Sequence, residues 1–164
     1  MKSLNVFLNV KILLFLSFIL ILLTNNYFSF EDSIYLGARD GADYFLIANG
    51  LENIPPETLH YQKAWRFIIP LCVGTIGDIF NIDTYFVFRF LTILFCLSCI
   101  TLFYLILKKF KFNDFHIFFL SSFLIFNPYL FRYFLALPTM LNDLIFINAG
   151  LVFVFGILNK NKYF

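Results

Sequence analysis

The sequence is poor in charged residues: 13% of its 164 residues are Asp, Glu, Lys or Arg, and the formal net charge is only +2. It has no basic tract with interleaved polar residues, so we expect no nucleic-acid partner. In place of charge it has 61% hydrophobic and 22% aromatic residues, including 26 phenylalanines. Long apolar runs recur with hardly a charge inside them, which argues against an ordinary soluble domain and predicts an integral membrane protein in a lipid bilayer.

Cysteine and histidine are too few and too scattered to predict a metal or redox centre. Two of the three cysteines, Cys96 and Cys99, lie inside an apolar run, where neither a zinc site nor a thioredoxin-like turn is expected. We interpret them as apolar fillers. The two histidines, His60 and His116, show no ligand spacing with other residues. The sequence therefore assigns no metal ligands.

Small residues are missing where a signal-peptide cleavage site would need them. The first apolar run, residues 7–24, follows Lys2 and is continued by Asn-Asn-Tyr-Phe-Ser-Phe. Such a segment does not suit a signal peptidase. We therefore predict that residues 7–24 are an uncleaved anchor and the first transmembrane helix, with a cleaved signal peptide as the alternative.

The remaining apolar runs predict an all-α, polytopic transmembrane helical protein. Residues 84–107 form the clearest span, with the single charge Arg89, whereas the run that ends before Asn127-Pro128 is short. Residues 66–80 fall short of the roughly 20 residues that a crossing needs, so we expect an amphipathic or re-entrant helix at the membrane face. The prediction is one membrane domain, residues 1–164, with about four spans at 7–24, 84–107, 112–126 and 141–158, an external acidic loop at 25–65 and an interfacial helix at 66–80.

Lysines and acids are separated along this layout. Lysines flank the spans on one side, whereas nine of the ten acidic residues fall on the other side and only Asp114 does not. Because Lys and Arg near spans mark the cytoplasmic face, both termini are predicted to be cytoplasmic and the acidic loop external. Together with an uncleaved anchor, this orientation fits a bacterial inner membrane. The flanking lysines are Lys2, Lys11, Lys108, Lys109, Lys111, Lys160 and Lys162.

The external loop contains the stretch that is best suited to chemistry. Asp40 and Asp43 lie three residues apart in Asp-Gly-Ala-Asp-Tyr, and Arg66 follows near the end of the loop. A carboxylate at the rim of a bilayer can take a proton from an acceptor hydroxyl, and an arginine can hold a phosphate through its fork of donors. The alternative for Asp40 is that it caps a short helix over residues 42–51.

These residues form a pattern. Asp-Gly-x-x-Tyr starts at Asp40, and Tyr61 and an Arg-x-x-x-Pro motif at Arg66 follow it. The pattern resembles the first external loop of GT-C-type glycosyltransferases, multi-span enzymes that use polyprenyl-phosphate-linked sugars. The resemblance implies that Asp40 is the catalytic base and that Arg66 clamps the lipid phosphate. Asp43 would orient the acceptor or help to hold a divalent cation, although an Asp-x-x-Asp pair alone is weak evidence for a metal.

The remaining substrate-binding assignments rest on the same resemblance. Arg132 and Asp143 fall where a second external loop of that family often has a basic residue and another acid. The aromatic residues Tyr44, Tyr61 and Trp65 suit a sugar face, but they also suit the membrane interface, which we favour. The predicted substrate-binding residues are Tyr44, Tyr61, Arg66, Arg132 and Asp143, and the catalytic residues are Asp40 and Asp43.

One departure from the family leaves other functions open. GT-C-type enzymes have seven or more spans, so a chain with about four is predicted to be the N-terminal part of such a module. The alternatives are a non-catalytic membrane protein that assembles with further membrane subunits, and a component of a transporter. Arg89 and Asp143 suggest the transporter because they lie at comparable depth in the membrane zone, where they could pair, bind a ligand or snorkel to the surface.

Overall fold

The computed structural model describes residues 11–19, 41–50, 66–126 and 139–160. Over these residues the protein is all-α, as predicted, and no strand occurs among them. There are six helices in the described part: α1 (residues 11–19), α2 (Gly41–Ala48), α3 (Ile68–Phe80), α4 (Thr84–Lys109), α5 (Asp114–Phe126) and α6 (Thr139–Lys160).

Two of the helices are long and apolar enough to cross a membrane. They are Thr84–Lys109, which is the whole of α4, and the segment Leu141–Asn159 of α6. At a rise of 1.5 Å per residue these segments are about 39 Å and about 28 Å long, close to or above the roughly 30 Å of a bilayer core. They coincide with the predicted spans 84–107 and 141–158 as apolar helices, and their crossing of a membrane stays a prediction.

Helices α4 and α6 pack side by side and run in the same direction. Asn148 Nδ2 of α6 donates a hydrogen bond of 2.9 Å to the Phe95 carbonyl oxygen of α4. Further along both helices, Lys109 Nζ lies 5.7 Å from the centroid of the Phe155 ring. From the first contact to the second, the residue number increases in both helices, so α4 and α6 are parallel. The chain that connects them, residues 110–138, must therefore return to the starting end of α4.

Helix α5 makes the first part of that return. It begins at Asp114, where the Asn113 side chain accepts a 2.8 Å hydrogen bond from the His116 N–H and caps the helix. Its Ile117 is fully buried in a cluster with Tyr104 and Leu107 of α4. With 13 residues α5 is about 20 Å long, less than a bilayer core. The third predicted span, residues 112–126, therefore stays a prediction.

The first predicted span is described only in its middle. Residues 11–19 are helical, as expected, and the other residues of the predicted span 7–24 lie outside the described ranges. Leu13 is fully buried in the same cluster as Tyr104 and Ile117, and the Ser17 hydroxyl donates a 2.6 Å hydrogen bond to the Leu13 carbonyl. Helix α1 thus packs into the core that α4, α5 and α6 share.

A second cluster of buried residues joins α2 and α3 to the starting ends of α4 and α6. Within this cluster, Tyr44 and Ile47 of α2 are completely enclosed. The Thr84 hydroxyl at the start of α4 also donates a 3.2 Å hydrogen bond to Asn49 Oδ1, just after α2. The buried members are Tyr44, Ile47, Ala48, Val73, Val87, Phe88 and Leu141.

Helix α3 packs against α2 through a face of small residues. Its buried positions, Pro70, Val73, Gly74 and Gly77, follow helical spacing. A Cβ atom built on Gly74 would lie 2.7 Å from the Ala48 carbonyl carbon and closer still to its oxygen, so only glycine permits this approach. The opposite side of α3 exposes large apolar side chains: Ile68, Leu71, Ile79 and Phe80. The predicted interfacial helix at 66–80 therefore exists as a helix, and its position relative to a membrane stays a prediction.

Asp83 is the N-cap of α4, and its removal should weaken the helix measurably. Its carboxylate accepts a 2.8 Å hydrogen bond from the Tyr85 N–H. We expect Asp83→Ala to lower the free energy of unfolding by about 1 kcal/mol, because a donor of the first turn loses its partner. Asp83→Asn should cost only a few tenths of that, since asparagine caps about as well as aspartate. Thermal unfolding followed by circular dichroism compares the two variants, and equal losses would contradict the capping role.

Candidate functional site

The described lysines and all the described acids except Asp114 are separated between the two ends of the helical bundle. We call the end where α4 and α6 start the acid end. Four acids lie there, on or beside α2, α3, α4 and α6: Asp43, Asp78, Asp83 and Asp143. The opposite end, which we call the basic end, holds Lys108, Lys109 and Lys111, and α6 also ends there at Lys160. The separation along the sequence is therefore also a separation in space.

Asp43 is held at the acid end by the packing of α2. It lies in the first turn of this helix and is half-exposed. The residues that follow it fix the helix in place, because Ile47 and Ala48 are buried against α3 and α4. Phe45 adds ring contacts with α4, at 6.1 Å to the Tyr85 ring centroid and 5.3 Å to that of Phe88. Asp40 lies just before α2 and outside the described residues.

Tyr44 has an environment that favours packing over contact with a substrate. Its side chain is 1% exposed and belongs to the buried cluster of the acid end. The predicted alternatives for this residue were a sugar face and the membrane interface, and the buried position matches neither directly. Its assignment to a substrate site stays a prediction. Tyr61 and Arg132, assigned to the same site, lie outside the described residues.

Arg66 is exposed and comes two residues before α3. The proline of its motif, Pro70, is buried in the first turns of α3 and so anchors the start of that helix against the bundle. Because α3 packs on α2, Arg66 lies just before a helix that contacts the helix of Asp43. This arrangement leaves the guanidinium open to a ligand, and its role as a phosphate clamp stays a prediction.

Arg89 and Asp143 lie at the same level of the two parallel helices. Asp143 comes five residues before Asn148 and Arg89 six residues before Phe95, and these two partners are hydrogen-bonded. At 1.5 Å per residue the two charges lie about 8 Å and about 9 Å from that bond, in the same direction. Both residues are half-buried. The comparable depth expected from the sequence therefore holds for the folded chain.

Arg89 was not included among the predicted site residues, although the sequence carried a signal for it. It is the single charge in the apolar run 84–107, and it follows Phe88, a buried member of the acid-end cluster. Such a residue is costly in an apolar setting and commonly has a function. Arg89 is therefore added to Asp43, Arg66 and Asp143 as a candidate residue of the acid end.

The described residues include no group of three or more His, Cys, Asp or Glu side chains arranged to hold a metal ion. Asp40, the partner of Asp43 in the predicted pair, is outside those residues, so a divalent cation at the pair stays open. No protein family, curated protein or solved structure matches the chain. The function must therefore be inferred from the residues and their placement.

Proposed function

We propose that the chain is a multi-pass membrane protein that acts, as the N-terminal part of a GT-C-type module, in moving a sugar from a lipid phosphate to an acceptor at the outer face. The observation that carries this proposal is the docking of α2 at the acid end. Helix α2, which begins directly after Asp40 in the sequence, is fixed against α3 and the start of α4. Asp43, the second acid of the motif, is thereby held at one rim of an apolar bundle.

The proposed membrane placement is supported by the surface of the bundle. Large apolar side chains are exposed along α3, α4, α5 and α6, as expected of a surface that faces lipid. The parallel direction of α4 and α6 also supports it, because two crossings in one direction require a return crossing by residues 110–138. With lysines marking the cytoplasmic side, the acid end faces outward and both termini face the cytoplasm.

The chemistry assigns different tasks to the acid and the arginine. Asp40 accepts the proton of the acceptor hydroxyl as the hydroxyl oxygen attacks the sugar carbon bonded to the lipid phosphate. The bond between that carbon and the phosphate oxygen breaks, and the phosphate leaves with the lipid. Arg66 balances the negative charge that develops on the phosphate. Asp43, three residues beyond Asp40 in the sequence, orients the acceptor.

The burial of Tyr44 favours one second candidate, a non-catalytic membrane subunit. Because Tyr44 of the Asp-Gly-x-x-Tyr motif packs in the core, fewer side chains of the motif remain to contact a sugar. In this case the apolar surfaces of the bundle pack against further membrane subunits. The two candidates differ in whether Asp40 matters for any transfer reaction.

We expect Asp40→Asn to lower transfer by about 100-fold or more, the usual contribution of a general base. The assay measures radiolabelled hexose or pentose leaving a polyprenyl phosphate in membrane vesicles from cells that produce the chain, so that other parts of the module are present. The control is Asp78→Asn, which changes an exposed acid of the same end on α3 and should leave transfer unchanged. Full activity of the Asp40 variant would remove the base assignment. No transfer by the unaltered chain with any donor would instead support the non-catalytic subunit.

A further inference from the structure

The turn between α4 and α5 combines exposed lysines with exposed phenylalanines. Residues 108–115 read Lys-Lys-Phe-Lys-Phe-Asn-Asp-Phe, and we call them the lysine–phenylalanine turn. Every residue of this turn is exposed. Phe110 is 58% exposed, Phe112 48% and Phe115 72%. Three large apolar rings therefore project from a single short turn at the basic end, between three ammonium groups.

The backbone of the turn is fixed by its own hydrogen bonds. The Phe110 N–H donates to the Leu107 carbonyl at 3.1 Å, and the Lys111 N–H donates to the Lys108 carbonyl at 3.3 Å. Lys111 adopts a left-handed conformation with φ of 59°, which ends α4 sharply. The Asn113 side chain then caps α5. The lysine and phenylalanine side chains are therefore presented by a built turn between two helices.

The mixture of side chains matches the boundary of an anionic membrane. Phenylalanine rings enter the region between headgroups and acyl chains, while lysines reach the phosphates. Each lysine near an anionic surface strengthens binding about fivefold, which is about 1 kcal/mol. Asp114 is the acid of the turn, and it opposes three lysines. The charge of the turn is therefore complementary to that of an anionic leaflet.

We propose that the lysine–phenylalanine turn binds the headgroups of anionic phospholipids and gathers them around the basic end. This inference rests on the proposed membrane placement and does not depend on the transferase activity. It goes beyond the orientation of the chain in the membrane, because lysines can mark the cytoplasmic side without any particular lipid being enriched around them. A phosphate-bearing lipid with net negative charge is the ligand, and phosphatidylglycerol serves as the probe.

The test uses the single tryptophan of the chain. Trp65 is changed to Phe, and Phe112→Trp places a reporter in the turn of the full-length protein. The protein is reconstituted in phosphatidylcholine vesicles that contain either dibrominated phosphatidylglycerol or dibrominated phosphatidylcholine, whose bromines quench nearby tryptophan. We expect phosphatidylglycerol to associate with the reporter at least about fivefold more strongly than phosphatidylcholine, the factor for one lysine. Equal quenching by the two lipids would overturn the inference.

Charge variants identify the groups responsible. Lys108→Gln, Lys109→Gln and Lys111→Gln together should abolish the preference, whereas the same three positions changed to arginine should keep it. The preference should also fall in 1 M salt, where the screening length is only about 3 Å, without any change of sequence. A preference that survived both treatments would contradict the role of the lysines.

A second reporter separates this inference from the membrane placement itself. Phe153 is exposed on α6 within the proposed span, and Phe153→Trp in the same background should be quenched equally by both lipids. If this reporter is not quenched, the membrane placement is wrong. If the Phe153→Trp reporter is quenched and the Phe112→Trp reporter is quenched by neither lipid, then protein or water covers the turn. In that case only the lipid-binding inference fails.

Discussion

Gly74→Ala is expected to lower the free energy of unfolding by about 3 kcal/mol, the upper part of the range for overpacked interiors. The methyl group would overlap the Ala48 carbonyl, and a backbone group cannot move aside as the end of a flexible side chain can. Either α2 or α3 must shift, which separates Ile47 and Val73 in the buried cluster of the acid end. Thermal unfolding of the detergent-solubilised chain measures the loss.

The matched control is Gly150→Ala, the same substitution in the interior of α6. A Cβ atom at this position meets nothing within 4 Å. Alanine should stabilise the helix there by up to about 1 kcal/mol, because it is the better helix former. The two substitutions should therefore differ in sign. If both stabilise the protein, α2 is not held against α3 by the contact at Gly74.

The displacement of α2 can also be observed directly. Ile47 is fully buried against α3 and α4, so a cysteine placed there in a chain without Cys72, Cys96 and Cys99 should react slowly with a maleimide. Gly74→Ala should increase this rate, and Gly150→Ala should not. Because α2 carries Asp43, the same change should disturb the candidate site while α4 and α6 stay packed.

The long helices were predictable from the sequence because their signal is local. An apolar run such as residues 84–107 has one low-energy form in an apolar environment, a helix whose backbone groups pair within the run. The end of α4 was predicted within two residues, since Lys108 and Lys109 mark the transition to polar surroundings. The short α5 was harder, because 13 residues suit either a half-crossing or a surface helix.

The contacts that build the acid end were not predictable in the same way. The sequence assigned no role to Gly74, whereas its function in the fold is to admit the Ala48 carbonyl. That contact joins segments 26 residues apart, and no local pattern specifies it. For Tyr44, spacing within the motif could indicate a site but could not show that the side chain points into the core.

The relative level of Arg89 and Asp143 was predictable only in part. Counting residues from the expected helix ends gave the correct relative level, because a helix converts sequence separation into distance at a fixed rise. The parallel pairing of α4 and α6, which makes that level meaningful, is seen in the contact between Asn148 and Phe95. Asn148 was not singled out in the sequence, since one amide in an apolar run has several ordinary explanations.

Asn148→Asp is expected to destabilise the protein by at least about 3 kcal/mol, the cost of leaving a buried charge unpaired. Asn148 is 5% exposed, and its Nδ2 donates to the Phe95 carbonyl at 2.9 Å and to the Leu144 carbonyl at 2.8 Å. A carboxylate has no proton to donate and would face both oxygens. The Oδ1 atom of Asn148 already lacks a hydrogen-bond partner among the described residues, so the surroundings of this side chain offer no donor to an anion.

Two comparisons distinguish this effect from burial alone. Asn142 is 4% exposed and lies in the first turn of α6, where the helix dipole favours negative charge, so Asn142→Asp should cost less than about 1 kcal/mol. Asn148→Leu should also cost about 1 kcal/mol or less, because an interhelical hydrogen bond in a membrane contributes about 0.6 kcal/mol on average and the Phe95 carbonyl keeps its own helical partner. Unfolding in detergent orders the three variants. If Asn142→Asp and Asn148→Asp cost the same, burial alone decides the loss, and the two carbonyls that face Asn148 add nothing to it.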